Sequence, residues 1–595
     1  MPQSLSSADQ STMTSIDASS VISGKLNNEQ QQQSTEEQQS QPKRTLLDTL
    51  KFVLLVISVL LAMFMVSLNS TVVAPAMSII ATELDALEKQ TWIATSYMVS
   101  MNAFQPLSGK FSDIFGRKPI LVFGLGIFFV GSLVNALTPN IEGLIAGRTL
   151  QGFGAGGIMS MVFVIISDIA PVNLRPKLQS MLIVVYGLAS VVGPLIGGAF
   201  VDYLSWRWDF WLNIILGGIA FLIVFFVFKE TSEVREESMM TKIKRIDFLG
   251  TIFSISFIVC LLLALSWGPQ LGWGSGHCIG PFVAAGVSLI LLIISEGWIA
   301  KEPIMPYQIF ANPRILAIYL YMITLGLGFI GTLYFGPVLF QSVFGANSSE
   351  SGIRLIPFMI CLIGGSIGSG ILLSKFPHVK LYIVIGAASN LLGYGLFYTV
   401  DETANWGRQA GFLAFCGFAF GLSQQNCVLG VQAAAGKEFM AVATSLNNFF
   451  MLLASSIGVA IYQTLFATFL KAQFAGIDPQ VLAVAGKYGA LTNYLYIREL
   501  PVEYQGPIIH AYMQSLKNVF VVPMVAGGLG VIAALCVRNI RYGAPSAPTK
   551  DVEASNPPAS LGNEKVELNQ ARSINSHHDK DSSNDTGNNG NGGSD

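Results

Sequence analysis

The chain has 595 residues, of which 52% are hydrophobic and only 12% charged, with a formal net charge of −2 and a mean hydropathy of +0.55. Soluble globular chains carry about 25% charged residues, and each charge placed in hydrocarbon costs about 2.5–3.5 kcal/mol even on mild scales. The composition therefore excludes a large soluble core and is that of a polytopic membrane protein, expected to be all-α; the net charge says nothing about partners, and no nucleic-acid partner is expected.

Residues 1–50 are rich in Ser and Gln, hold no apolar core and resemble no cleavable signal peptide, so a disordered tail is expected there. A bilayer core of about 30 Å needs about 20 apolar helical residues. By that measure spans are expected near 52–74, 91–109, 120–138, 141–166, 178–200, 210–228, 248–267, 279–299, 315–340, 355–374, 381–399, 411–430, 441–468 and 518–538. These make about fourteen transmembrane helices. The expected organisation is a six-helix half over 51–228, a linker with two extra helices over 229–300, a second six-helix half over 301–540 and a disordered tail over 541–595.

Lys and Arg crowd the connections that follow even-numbered spans: Lys110, Arg117 and Lys118; Arg175 and Lys177; Lys229, Arg235, Lys242, Lys244 and Arg245; Lys301 and Arg314; Lys375 and Lys380; Lys437. By the positive-inside rule those loops and both tails are cytosolic. Asn347, in Asn-Ser-Ser, is then a glycosylation acceptor on the far side, whereas Asn69, in Asn-Ser-Thr, lies inside the first span. The end of span 2 ("PLSGKFSDIFGRKPILVFG", 106–124) is echoed at the end of span 10 ("SGILLSKFPHVKLYIVIG", 369–386). Repeated halves with a midplane site between them are the mark of secondary transporters. The six Cys show no metal spacing, and the five His lie in loops or tail without a catalytic motif, so neither an enzyme nor a metal or organic cofactor is expected.

"GKFSDIFGRKPIL" (109–121) resembles motif A of the major facilitator superfamily, with Gly109, Asp113, Gly116, Arg117 and Lys118 at the matching positions. Glycine lets the loop turn tightly and the helices approach. Arg117 can reach a carboxylate at the cytosolic end of another helix, for which Asp168 in "ISDIAP" is the candidate, giving a clamp that breaks when that side opens. "GRTLQGFGAGG" (147–157) resembles motif B; Arg148 lies inside apolar sequence, an expensive place for a charge, and Gln151 and Gly152 complete the match. The resemblance implies a part for Arg148 in proton coupling. "GLASVVGPLIGGAF" (187–200) resembles motif C, the antiporter stretch, through Gly187, Gly193, Pro194, Gly197 and Gly198.

"SWRWDFWLN" (205–213), "KEPIMPYQIFANPR" (301–314) and "SGIRLIPF" (351–358) are similar to the fourteen-helix drug:proton antiporter branch in fungi, which includes toxin and multidrug exporters and yeast vacuolar basic amino-acid transporters. The resemblance covers about 50–540. It implies a monomeric transporter in the plasma membrane, or alternatively the vacuolar membrane, exchanging a small organic molecule for protons with the proton gradient as energy source. The pattern breaks in the first helix, where relatives carry an Asp and this chain has Asn69, so the titratable proton there is lost.

Apart from Glu296 and Asp202 near span ends, the interior reads as nearly free of acids, which leaves Arg148, Asp113 and Asp168 as the charged candidates. Polar and aromatic residues within spans are candidates for the substrate cavity: Asn69, Tyr97, Asn102, Gln105, Tyr334, Gln341, Gln424, Gln425, Asn426, Asn447 and Asn448. Neutral amides and aromatics suit a neutral or weakly charged amphipathic ligand. A cationic amino acid calls for a buried carboxylate, which this reading of the sequence does not find. A nutrient sensor on a transporter scaffold is a further alternative.

Overall fold

The structure, a computed structural model, describes residues 46–73, 75–229, 237–491, 494–538 and 540. The expected tails lie outside the described residues except for 46–50, as does Arg235. The regular elements among the described residues are helices. The long ones are α1 (Leu46–Thr71), α2 (Gln90–Phe115), α3 (Arg117–Leu137), α4 (Ile141–Ile169), α5 (Arg175–Tyr203), α6 (Trp208–Val227), α7 (Phe248–Leu271), α8 (Gly276–Ile294), α9 (Pro313–Ser342), α10 (Ile356–Lys375) and α11 (Val379–Tyr398). Next comes Trp406–Phe474, interrupted at Gly436 and so divided into α12 (406–435) and α13 (437–474). The last is α14 (Val502–Cys536).

Among the described residues, twelve helices are long and apolar enough to cross a membrane when Trp406–Phe474 counts as one. Gly436 has φ 70° and ψ −176°, a conformation that a Cβ would oppose, and it turns that run into two spans. With α2, which is long enough but more polar, the bundle has fourteen helices. Side chains set several of their starts: Asn140 accepts the Gly143 N–H at the head of α4, Asp247 that of Gly250 before α7, and Asn312 that of Arg314 before α9, with Pro313 following. Each cap satisfies a backbone donor that the helix leaves open.

Helices α1 to α6 pack on one another, and so do α9 to α14. The hairpin α7–α8 lies against α2 and the α12–α13 region. The first group meets the second chiefly through α2 on the α12–α13 run and α5 on α10. Both seams are built in the same way. A Cβ on Gly109 of α2 would sit 2.7 Å from Ser445 Oγ and 2.8 Å from Val442 Cα of α13, and one on Gly370 of α10 would collide with Ser180 of α5. Counted within its own group of six, each seam joins a second helix to a fifth, and Ser108-Gly109 and Ser369-Gly370 are the dipeptides shared by the two echoing segments.

Candidate functional site

One end of the bundle carries the charged turn. Gly116, at φ 104°, reverses the chain between α2 and α3, and the next residue delivers the guanidinium. Arg117 Nη1 lies 2.5 Å from Asp113 Oδ1, and its Nε lies 3.3 Å from Asp168 Oδ2 at the end of α4. Nη1 also donates to Ser112 Oγ. Arg117 is itself buried, so the two carboxylates and the hydroxyl stand in for lost water. Lys118 Nζ donates to the Phe225 carbonyl at the end of α6, tying that helix to the same turn.

Lys110 leads outward from this clamp. Its Nζ lies 2.9 Å from Glu302 Oε2 beyond α8, and Glu302 also receives Arg245, which precedes α7, at 2.7 and 3.1 Å. Burial pushes the Glu302 carboxyl up, but the hydrogen bonds from Arg245 and Lys110 outweigh it and hold the group below its ordinary value. The connections on either side of the hairpin are thereby pinned to motif A.

A neutral lock joins the two groups of helices at this end. Ser167 Oγ of α4 donates to Gln432 Oε1 of α12 at 2.7 Å. Gln179 Nε2 of α5 donates to both of them, and Gln432 Nε2 donates to Thr444 Oγ1 of α13. Gln179 and Gln432 are amides close to helix ends, unremarkable in sequence, and only packing shows that they meet. Just inside the Gly109–Ser445 contact lie polar groups without protein partners. Gln105, one helical turn before Gly109, is fully buried with neither side-chain atom bonded; Asn447 is the same, and Asn448 Nδ2 and Gln424 Oε1 are also unpaired. Gln424 Nε2 reaches Asn448 Oδ1 at 3.4 Å. Asn102 and Asn426 each donate to a carbonyl of their own helix, leaving the amide oxygen free.

The opposite end of α1–α6 holds a second polar cluster. Arg148, 1% exposed, donates from Nε to the Ile93 carbonyl at 2.9 Å and from Nη1 to Gln151 Oε1 at 3.1 Å, and lies over the Tyr97 ring at 4.4 Å. Gln151 in turn binds Ser132 and Asn135 of α3. Gly152 lets α4 meet α2 at Tyr97 and Ser100. Asn69 Oδ1 accepts from Asn213 Nδ2 of α6 at 2.9 Å. One turn before Asn213 stands Asp209, wholly buried, with neither carboxylate oxygen hydrogen-bonded. This corrects the expectation that the interior offers no buried carboxylate. In the sequence Asp209 follows Arg207 at a span edge, where an acid ordinarily faces water. Its surroundings are set by Trp206, which is buried and donates to Glu83, and by Arg207, which pairs with Glu83 at 2.8 Å and stacks on Trp206. The hydrogen bond from Arg207 holds the Glu83 carboxyl below its ordinary value.

The motif C glycines face several ways. Gly193 and Gly197 press α5 onto Thr71 and Val72 at the end of α1, Gly187 meets Leu362 of α10, and Gly198 has open space around it. Pro194 lies inside α5, which stays helical although Pro withholds a donor. Other candidates lie elsewhere. Tyr334 is 46% exposed and accepts from Gln463. Gln341 donates to Ser351, and Gln425 is satisfied by Ser366 and Ser369 of α10. Glu296 receives the backbone N–H groups of Ile304 and Met305, and Asp202 is exposed.

A bundle of fourteen long helices, nearly all apolar enough to cross a membrane, tied by ion pairs at one end and charged inside at the other, is a polytopic membrane protein. The chain belongs to the major facilitator superfamily: the model of that family, described as Major Facilitator Superfamily, matches residues 59–459. It is accordingly a transporter and not an enzyme. It is 32% identical to an "MFS-type transporter" of Claviceps purpurea over 82% of this chain and 85% of that one. It is 30% identical to "Efflux pump aflT" of Aspergillus parasiticus over 82% of this chain and 95% of that one. Among solved structures, the human organic anion transporter MFSD10 shares the fold at a TM-score of 0.51 and 14% identity, covering 80% of this chain and 99% of that one.

Proposed function

We propose that this transporter exports an organic small molecule, of the drug, toxin or amphipathic metabolite class, from the cytosol in exchange for protons. The clamp end is the cytosolic end, both termini lie on that side, Asn347 faces the other, and the monomer works by alternating access. The observation that carries the reading is the set of buried amides with unpaired atoms at Gln105, Gln424, Asn447 and Asn448, which lies just inside the end closed by Gly109 and the Gln432 lock. Unpaired buried polar groups are costly, and a ligand offering neutral donors and acceptors on an apolar body relieves that cost. The relative named an efflux pump supports the direction.

A second reading, vacuolar uptake of basic amino acids, is favoured by Asp209, since a buried carboxylate suits a cationic ligand. The full-length protein in liposomes, under an imposed pH gradient, separates the two. Export predicts gradient-driven movement of members of a panel of amphipathic toxins and dyes. The second reading predicts movement of lysine and arginine and of none of the panel. A tag on the C-terminus then places the protein at the cell surface or on the vacuole.

A further inference from the structure

We propose that Asp209 is the proton-binding carboxylate of this transporter, in the buried polar cluster at the end of α1–α6 that also holds Arg148. It fills the role that Asn69 cannot, on a different helix of the same cluster. The inference rests on the proton-exchange reading above and assigns its chemistry to one side chain.

The argument begins with what a first-turn acid normally does. Near a helix N-terminus a carboxylate is favoured by the macrodipole and by free N–H groups, usually at the surface. Asp209 is the second residue of α6, yet it is wholly buried and neither oxygen accepts a hydrogen bond. Simple capping does not describe it. A buried charge without partners is costly, and two events remove the cost: the carboxylate takes a proton, or a cation comes to it. Arg148 of α4 is the buried cation at the same end of these six helices. Among the described residues no ion pair joins it to Asp209, and the Arg148 guanidinium donates instead to the Ile93 carbonyl and Gln151.

The other titratable groups around the cluster are few. Tyr97 of α2 stacks on Arg148, and Tyr186 of α5 lies beside Phe329 of α9. From α1 the facing group is the amide Asn69, and from α3 it is Asn135 beside Gln151. The Glu83–Arg207 pair closes the end. Asn69 is held to α6 through Asn213, one turn from Asp209, so the neutral amide and the titratable acid belong to one assembly. The step is simple: an O–H bond forms on one Asp209 oxygen with a proton taken from water on the far side. The same bond breaks on the return, releasing the proton toward the cytosol. A guanidinium in the same cluster disfavours a cationic ligand there, which sets the proton ahead of an amino-acid side chain.

The test is an infrared pH titration of the purified full-length protein, comparing wild type with Asp209→Asn and Asp209→Glu. The expected result is a protonated-carboxyl band that titrates in wild type, is lost in Asp209→Asn and returns, shifted, in Asp209→Glu; the other acids cancel in the difference. Identical spectra for wild type and Asp209→Asn would overturn the assignment. So would a carboxyl that stays ionised throughout while lysine binding is lost in Asp209→Asn, which would make the group a cation site. A titrating band in a protein whose flux ignores the pH gradient would retain the proton site and sink the proton-exchange reading alone. Thermal unfolding of Asp209→Glu, matched to wild type, guards against misfolding.

Discussion

The two six-helix groups bury polar side chains by different chemistry. In α1–α6 the buried set contains a guanidinium and a carboxylate, Arg148 and Asp209, among the amides Asn69, Asn135, Gln151 and Asn213. In α12 and α13 it consists of neutral amides, Gln424, Asn426, Asn447 and Asn448, with serine and threonine hydroxyls. A charge held in a low-dielectric interior responds strongly to a proton or to a change in its neighbours, whereas an amide responds to the shape and hydrogen bonding of what is offered to it. On the proposed proton exchange, energy coupling belongs to the first group and most of the recognition to the second, with Gln105 on the first group's side of the seam.

The largest expected effect breaks the charged side. Arg148→Ala leaves the Ile93 carbonyl, Gln151 and Tyr97 without their partner, and gradient-driven flux should fall to background while immunoblots show the protein in its membrane. Arg148→Lys should lose most of the flux as well, because an ammonium does not reproduce the planar, multiply bonded guanidinium. Flux close to wild type in both variants would sink the division of labour.

Next comes the seam. Gly109→Val drives a side chain into the Val442 backbone, and overpacking of this kind costs about 1–3 kcal/mol. The closed clamp end should open more often, read as faster labelling of a cysteine placed at Gln432. Asp113→Asn should act in the same direction by weakening the hold on Arg117.

On the neutral side, Asn447→Leu or Gln424→Leu should change KM and substrate preference about 5- to 150-fold, on the scale of about 1–3 kcal/mol for a buried polar group that loses its match. The dependence of flux on pH should stay in place; a shifted pH profile would blur the contrast. The smallest effect belongs to Glu302→Gln, since a partly exposed ion pair contributes about 0.2–1 kcal/mol. Glu302 is held below its ordinary value, so its contribution is present above the unfolded-state value and is lost as pH falls through the folded one. The melting-temperature gap between variant and wild type should therefore be present at neutral pH and vanish in acid.

The spans were legible because hydrocarbon imposes length and composition directly. Even the division near Gly436 follows from two separate apolar runs, at 411–430 and 441–468. Helix ends were less so: α14 starts at Val502, well before the apolar stretch at 518–538, because the polar turns of 502–517 stay helical. The clamp could be read because a charged turn between apolar spans stands out, and the Arg117–Asp168 contact pairs the residues matched by sequence. Asp209 was hidden by its neighbours. Beside Arg207 it looks like an interface residue, and the aromatic flank of Trp206, Trp208, Phe210 and Trp211 was the one available hint of burial. Tyr334 and Gln341 show the converse, for sequence places a polar residue in a span without saying which face of the helix it occupies.

The α7–α8 hairpin has a consequence of parity. Two helices inserted between the six-helix groups return the chain to the end it left, so α9 enters the bundle in the same sense as α1. A single inserted helix would have turned the second group upside down relative to the first. Gly109–Ser445 and Gly370–Ser180 would then lie at opposite ends and could not close the same door. The excursion through α7 and α8 is thus one that the symmetry of the seams permits, and the ties from Lys110 and Arg245 to Glu302 fasten it at the point where the chain comes home.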